Sequence, residues 1–261
     1  MTRTDPLRVV VVGDSLTVPI PGCVAGAPRR VAPCVSLEQA LARDLGELTG
    51  RPVVTVNLSL PGGDVDGVLL GLTSDERERI IGEADLVVVS VGMQSQGGVL
   101  AFPCGVTAWT GDHDDSGLEV LAQLSDACLY AFVSSYRSRL GQIYASIESL
   151  VSDHPAVLVD LGVFNGLVGH PDLEALPPSS WLGPALERSL ELTGRWATAD
   201  CAAATAHGFV CADLWHAVNG SSGREPASDY SSWLDGSPRL TQAGVAMVAR
   251  LVESLDLSPL L

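Results

Sequence analysis

The first patterned stretch of the chain is Leu7-Arg8-Val9-Val10-Val11-Val12, a run of apolar β-formers that stops at Gly13. A short, almost continuous apolar run predicts a strand covered on both faces. Comparable runs recur over 53–58, 85–91, 156–161 and 209–214. Between them the apolar period changes. Leu37, Ala40, Leu41 and Leu45 repeat at helical spacing, with Gly46 and Gly50 near the helix end. A second helix is expected over 65–70, after the turn Pro61-Gly62-Gly63-Asp64, and longer ones over 129–151, 185–207 and 241–255. Strands alternating with helices predict a parallel sheet with helices on both faces and right-handed crossovers. The expected fold is therefore α/β, a three-layer α/β/α sandwich around a five-stranded parallel sheet. No repeat or linker interrupts 1–261, which reads as one domain.

Irregular stretches break this pattern at 19–33, 97–126, 163–184 and the residues before the last helix. The insertion around 97–126 follows a sheet strand and is long enough to wall a pocket or form a lid. It carries the run Asp112 to Asp115, most simply a solvated loop, because calcium requires more regularly placed oxygens. The stretch 163–184, rich in Gly and Pro, reads as a surface excursion.

Composition narrows the partners. The 261 residues carry a formal charge of −16, and the pI is about 4.5. Such a surface repels phosphate backbones and anionic bilayers, so neither nucleic acid nor a membrane is expected as a partner. Met1-Thr2-Arg3-Thr4-Asp5-Pro6 shows no apolar leader, and the apolar runs are too short to span a bilayer, so a cytoplasmic location is expected. The six cysteines, Cys23, Cys34, Cys104, Cys128, Cys201 and Cys211, fall into three close sequential pairs. They read either as thiols in a reducing compartment or as three local disulfides of an exported lineage. No Cys/His spacing suits zinc, so no metal and no cofactor are expected. The sequence carries no signal for an oligomeric state.

Candidate chemistry begins where the first strand ends. Gly13-Asp14-Ser15-Leu16 delivers a serine hydroxyl at the carboxyl end of a sheet strand, where open α/β sheets hold their ligands. Such a serine can be a nucleophile, and its own N–H can help hold the oxyanion that attack creates. With these residues, and with Asn57-Leu58-Ser59-Leu60-Pro61-Gly62 after the second strand, the chain resembles the SGNH, or GDSL, hydrolases along nearly its full length. The resemblance implies the SGNH/flavodoxin-like form of the sandwich. It also implies Ser15 as nucleophile, and Ser15 and Gly62 as backbone donors to an oxyanion hole. Asp14 would bond local backbone.

Two further family blocks depart from the pattern. After the third strand the family has G-x-N-D, whose Asn is an oxyanion donor. Here the sequence reads Gly92-Met93-Gln94-Ser95. Gln94 keeps the amide donor on a longer arm, and Ser95 becomes a substrate contact. Before the last helix the family has D-x-x-H, with a His base oriented by the Asp. Here Asp235-Gly236-Ser237-Pro238-Arg239 leads into Leu240-Thr241 and Gly244, so Arg239 stands at the histidine position and Asp235 at the aspartate. A guanidinium cannot accept a proton at neutral pH, so a standard Ser-His-Asp set is unavailable from this block. Asp213-Leu214-Trp215-His216 spells D-x-x-H elsewhere, at the end of the fifth strand, and makes His216 the substitute base. His170 and His113 are weaker candidates. His154 and His207 read as structural or surface groups. Trp109, Trp181 and Trp233 lie in loops near the presumed active edge, as core packing or as walls of an apolar pocket.

The expected activity is that of a serine enzyme with an atypical catalytic set, acting on a small-molecule ester, thioester or related acyl group. Without an efficient histidine, deacylation by water is slow. That favours acyl transfer or ring closure in specialised biosynthesis. Two alternatives remain. In one, Arg239 binds a carboxylate or phosphate of the substrate and Ser15 only hydrogen-bonds. In the other, the chain kept the fold and lost turnover.

Overall fold

The computed structural model describes residues 5–18, 35–92, 115–170, 173, 181–234 and 237–261. Strand β1 (Leu7–Gly13) is followed by α1 (Leu37–Thr49) and β2 (Val53–Asn57). Helices α2 (Val65–Gly71) and α3 (Asp75–Gly82) lead into β3 (Leu86–Ser90). Helices α4 (Asp115–Ala122) and α5 (Asp126–Leu150) precede β4 (Val157–Asp160). Then come α6 (Leu182–Ala206), β5 (Val210–Cys211) and α7 (Leu214–Asn219). A hairpin, β6 (Ser231–Leu234) and β7 (Ser237–Leu240), leads into the last long helix, α8 (Gln242–Glu253).

Five strands form one parallel sheet in the order β2-β1-β3-β4-β5. Helices α1, α7 and α8 pack together in one layer, while α2 to α6 form the other. This is the expected three-layer sandwich. Strand β3 is central with β1 beside it, and they read Leu-Val-Val-Val and Val-Val-Val-Val because neither face meets water. No helix among the described residues is long and apolar enough to cross a membrane.

The elements depart from expectation in five places. The end of the stretch expected as the irregular insertion 97–126 is helical, since α4 packs its buried Leu118 and Leu121 beside α6. The fifth strand is only Val210–Cys211, since β5 is a sheet edge paired to β4 through Val159 and Asp160 alone. Asp213 does not prolong it; its carboxylate caps α7, which contains His216. Helix α3 was not expected because its sequence is nearly all charged. It is held by the Ser74 cap, by three acidic residues in its first turn and by buried Ile81. The segment after β4 is no surface excursion over its first part: Val163, Phe164, Asn165 and Leu167 are buried. That burial is possible because Asn165 and Asn219 satisfy each other. The Asn165 N–H donates to Asn219 Oδ1 at 2.8 Å, and Asn219 Nδ2 donates to the Asn165 carbonyl at 3.0 Å. The segment before α8 holds the β6–β7 hairpin rather than irregular chain.

Cys201 and Cys211 are disulfide-bonded, tying α6 to β5, and Cys128 is disulfide-bonded as well. The disulfide alternative thus holds for these cysteines. Cys23, Cys34 and Cys104 lie outside the described residues.

The strand ends are stitched together by one side chain. Asp14 is fully buried. Its Oδ1 accepts from Leu16 N at 3.0 Å and its Oδ2 from Gly92 N at 2.9 Å. One carboxylate therefore joins the exit of β1 to the exit of β3.

Two stability predictions follow from these ties. Asp14→Asn turns one acceptor into an amide that faces a backbone N–H, and it should cost about 2–4 kcal/mol in urea unfolding. The Cys201→Ser/Cys211→Ser double variant opens a short loop and should lose about 2–3 kcal/mol in the same assay under oxidising conditions.

Candidate active site

The site is assembled from the turn that ends β1. Gly13 is the only residue type that fits there, since a Cβ would fall on the Thr17 hydroxyl and the Ser90 carbonyl. Ser15 follows with its side chain buried at the carboxyl edge of the sheet. The peptide group between Ser15 and Leu16 is held at both ends. Its N–H donates to Asp14 Oδ1, and its carbonyl accepts from Nη1 of Arg239.

The second block packs directly on the first. Leu60 N donates to the Gly13 carbonyl at 2.9 Å, Asn57 Nδ2 donates to the Thr17 carbonyl at 2.9 Å, and the Thr17 and Ser59 hydroxyls lie 2.7 Å apart. Asn57 is itself set by Ser59 N, which donates to its Oδ1 at 2.9 Å, and by Glu38 on α1. The turn closes with Gly63 N on the Leu60 carbonyl, and Asp64 caps α2 through Gly67 N. Gly62 sits at φ +67, a left-handed conformation that favours glycine. Ser15 and Gly62 therefore belong to two turns fastened to each other. The roles of Asn57, Ser59 and Thr17 in that fastening were not foreseen, although the Asn-x-Ser spacing at a strand end marks a local side-chain-to-backbone turn.

The third block is described up to Gly92, whose φ is +128. A side chain there would collide with the Tyr136 hydroxyl and the Trp196 ring. Tyr136 donates to the Val91 carbonyl at 2.6 Å, so α5 pins the end of β3 as Asp14 does from the other side. Tyr136 is completely buried, and burial pushes its phenol well above the usual range. Gln94 and Ser95 lie outside the described residues, as do His113, Trp109 and Asp235.

The fourth block arrives on β7. Leu240 is buried, Thr241 caps α8 by accepting from Gly244 N at 3.1 Å, and Gly244 packs against the Tyr230 carbonyl, where a Cβ would not fit. These anchors carry Arg239 to the Ser15 carbonyl. Its Nε is buried and has no hydrogen-bond partner among the described residues. Arg239 thus reaches the serine turn from the last hairpin.

His216 sits elsewhere. Asp213 Oδ1 accepts from His216 N at 3.1 Å, and Oδ2 pairs with His216 Nδ1 at 2.7 Å. With the Nδ1 proton on the carboxylate, Nε2 is left as the acceptor. The ring stacks on Trp215, which packs against Gly194 and Gly223. Ser15 is not among its hydrogen-bond partners. β5 lies three strands from β1, a separation of about 14 Å at normal strand spacing. Of the other histidines, His170 is buried in the segment after β4. His154 pairs with Asp85 at 3.3 Å beside the start of β3, the edge away from Ser15, and His207 pairs with Glu148 at 2.9 Å. Trp181 stands at the head of α6, partly buried against the core. Among the described residues no group of acidic, histidine and cysteine side chains could hold a metal ion.

No family model matches the chain, and no curated protein matches it. Solved structures do. A lipase from a goat rumen metagenome aligns over 95% of this chain and 96% of its own, with a TM-score of 0.64 and 14% identity. An extracellular lipase from Streptomyces rimosus aligns over 95% and 99%, with a TM-score of 0.60 and 18% identity. An acetylxylan esterase from Geobacillus stearothermophilus aligns over 100% and 96%, with a TM-score of 0.54 and 15% identity. At these identities the likeness establishes the fold, which is an SGNH-like α/β sandwich.

Proposed function

We propose that this chain is an esterase-like serine enzyme whose nucleophile is Ser15 and whose substrates are small-molecule esters, thioesters or related acyl compounds. The observation that carries this reading is the fastening of the Ser15 turn to the Gly62 turn and to Gly92, through Asp14 and the Thr17–Ser59 contact. Catalysis of acyl transfer requires preorganised donors around a developing oxyanion. Here the donors are the N–H groups of Ser15 and Gly62 and the amide of Gln94.

In the proposed step Ser15 Oγ adds to the acyl carbon while its proton goes to a base and the carbonyl pair moves to the oxygen; the carbonyl then re-forms, the bond to the leaving alcohol or thiol breaks, and the base returns the proton to that group. His216, oriented by Asp213, takes the role of base. The strands that carry the two residues lie about 14 Å apart, more than one water spans, so on this reading the proton travels along a relay of several waters or substrate groups. Arg239 occupies the place of a closer imidazole, so release of the acyl group to water is slow. The reading accordingly favours transfer to a hydroxyl or amine, or internal ring closure, over simple hydrolysis. The Cys201–Cys211 bond supports an oxidising working environment rather than the cytoplasm.

A second reading rests on the contact between Arg239 and the Ser15 carbonyl. There the guanidinium holds an anionic group of the substrate, and Ser15 serves as a hydrogen-bonding residue only.

A serine-directed fluorophosphonate and a short-chain p-nitrophenyl ester distinguish the two. On the first reading the probe labels Ser15, and Ser15→Ala abolishes both labelling and turnover. His216→Ala lowers kcat by about 10²–10⁴ and removes the acidic limb of the pH profile. Labelling with little turnover identifies a transferase. Absence of labelling, together with an anionic-ligand affinity that falls about tenfold or more in Arg239→Ala, establishes the second reading instead.

A further inference from the structure

Beneath the carboxyl edge lies a polar cluster that the proposed chemistry does not use. Asp160 ends β4, Tyr144 comes from α5 and Asp200 from α6. All three are buried. The Tyr144 hydroxyl stands 2.8 Å from Asp160 Oδ1 and 2.6 Å from Asp200 Oδ1. A phenol has one proton to donate, yet here it contacts two carboxylate oxygens. Two ionised carboxylates could accept only one bond between them, and the other contact would set oxygen lone pairs against each other.

We propose that Asp160, Tyr144 and Asp200 bind one structural proton, which fastens α5 and α6 to the end of β4. Asp200 carries it and donates to the Tyr144 oxygen, and Tyr144 in turn donates to Asp160. The chain of two hydrogen bonds then satisfies all three Oδ1 and hydroxyl positions.

The surroundings favour the protonated form. The outer oxygens, Asp160 Oδ2 and Asp200 Oδ2, are buried without hydrogen-bond partners among the described residues, which is costly for an ionised group. The Gly162 N–H and the Tyr144 hydroxyl favour the Asp160 anion, but burial outweighs them. Around the cluster stand the Tyr136 phenol on α5, the Phe209 ring against Tyr144, and the Cys201–Cys211 bridge, whose cysteines directly follow Asp200 and pair with Asp160. Asp14, also acidic, acts on the same Tyr136 phenol as Asp160 and Asp200. No cation acts on either carboxylate among the described residues. Burial pushes Asp160 up to about 7. Burial and the neighbouring Asp160 carboxylate push Asp200 well above the usual carboxylate range.

The sign of the pH effect follows. Both groups titrate near 4 in the unfolded chain and higher in the native one. Their stabilising effect is complete below the unfolded value, and it is lost as the pH rises from there through the native values, because the unfolded chain gives up protons that the native state still holds. Two carboxylates stripped of that proton repel each other between β4 and α6.

Thermal unfolding and infrared spectroscopy of the intact chain test this. The melting temperature should fall by about 5 °C or more between about pH 5 and about pH 8.5. Asp200→Asn replaces the acid donor with an amide donor, and it should reduce that slope at least about twofold. The parent chain at neutral pH should show the carbonyl stretch of a protonated carboxylic acid, and Asp200→Asn should lack it. A parent chain without that band overturns the proposal, whether or not the variant folds. So does an Asp200→Asn protein that keeps the band or the full pH slope.

Discussion

The candidate site depends on one buried carboxylate. Asp14 accepts from the backbone of the serine turn with one oxygen and from Gly92 with the other. Without it, two N–H groups at adjacent strand exits would be buried and unpaired, and each such loss costs on the order of 1–3 kcal/mol. The geometry leaves little choice of residue. Glutamate would push the carboxylate past both donors, and asparagine could satisfy only one. Gly13 is required by the same crowding, because the β1 exit lies against the Ser90 carbonyl of β3 and the Thr17 hydroxyl. The short Gly-Asp-Ser string is thus first of all a packing solution.

The sheet handles its buried acids in two opposite ways. Asp14 is met by two backbone donors, an arrangement that suits a carboxylate anion. Asp160 and Asp200 are met chiefly by one phenol and by each other, an arrangement that suits a shared proton. The same helices serve both places. Tyr136 and Trp196 close around Gly92, and two turns along α5 and one along α6, Tyr144 and Asp200 close on the end of β4. Helices α5 and α6 therefore set the shape of the active edge from beneath, with edge-to-face aromatic contacts between Phe132, Tyr136 and Trp196 filling the space between them.

How much of this could be read from the chain depended on the range of the interaction. The buried strands and the long helices were legible because their apolar periods are strong. The serine turn and the Gly62 turn were legible because each is local. The same is true of the Asp213–His216 pair, set by three-residue spacing on a short helix. Helix α3 was hidden by its charge, and β5 was overestimated because a two-residue edge ladder resembles the start of a longer apolar run. Burial of Phe164 and Leu167 depends on Asn165 meeting Asn219, a partnership across 54 residues that no local pattern signals. The proton-holding cluster is equally non-local, joining three elements whose acidic and phenolic residues look unremarkable alone.

Arg239 is the most distant of these contacts, 224 residues from the serine whose carbonyl it reaches. It places a cation at the carbonyl end of the Ser15–Leu16 peptide, while Asp14 places an anion at the N–H end. The peptide dipole lies between the two charges with its negative end toward the arginine, so both contacts reinforce each other. On the proposed reading this has a chemical consequence. A buried carboxylate beside a nucleophile opposes the growth of negative charge on its oxygen, and a guanidinium nearby offsets that opposition. The exchange of a proton acceptor for a permanent cation therefore removes a base and leaves electrostatic support for the anion.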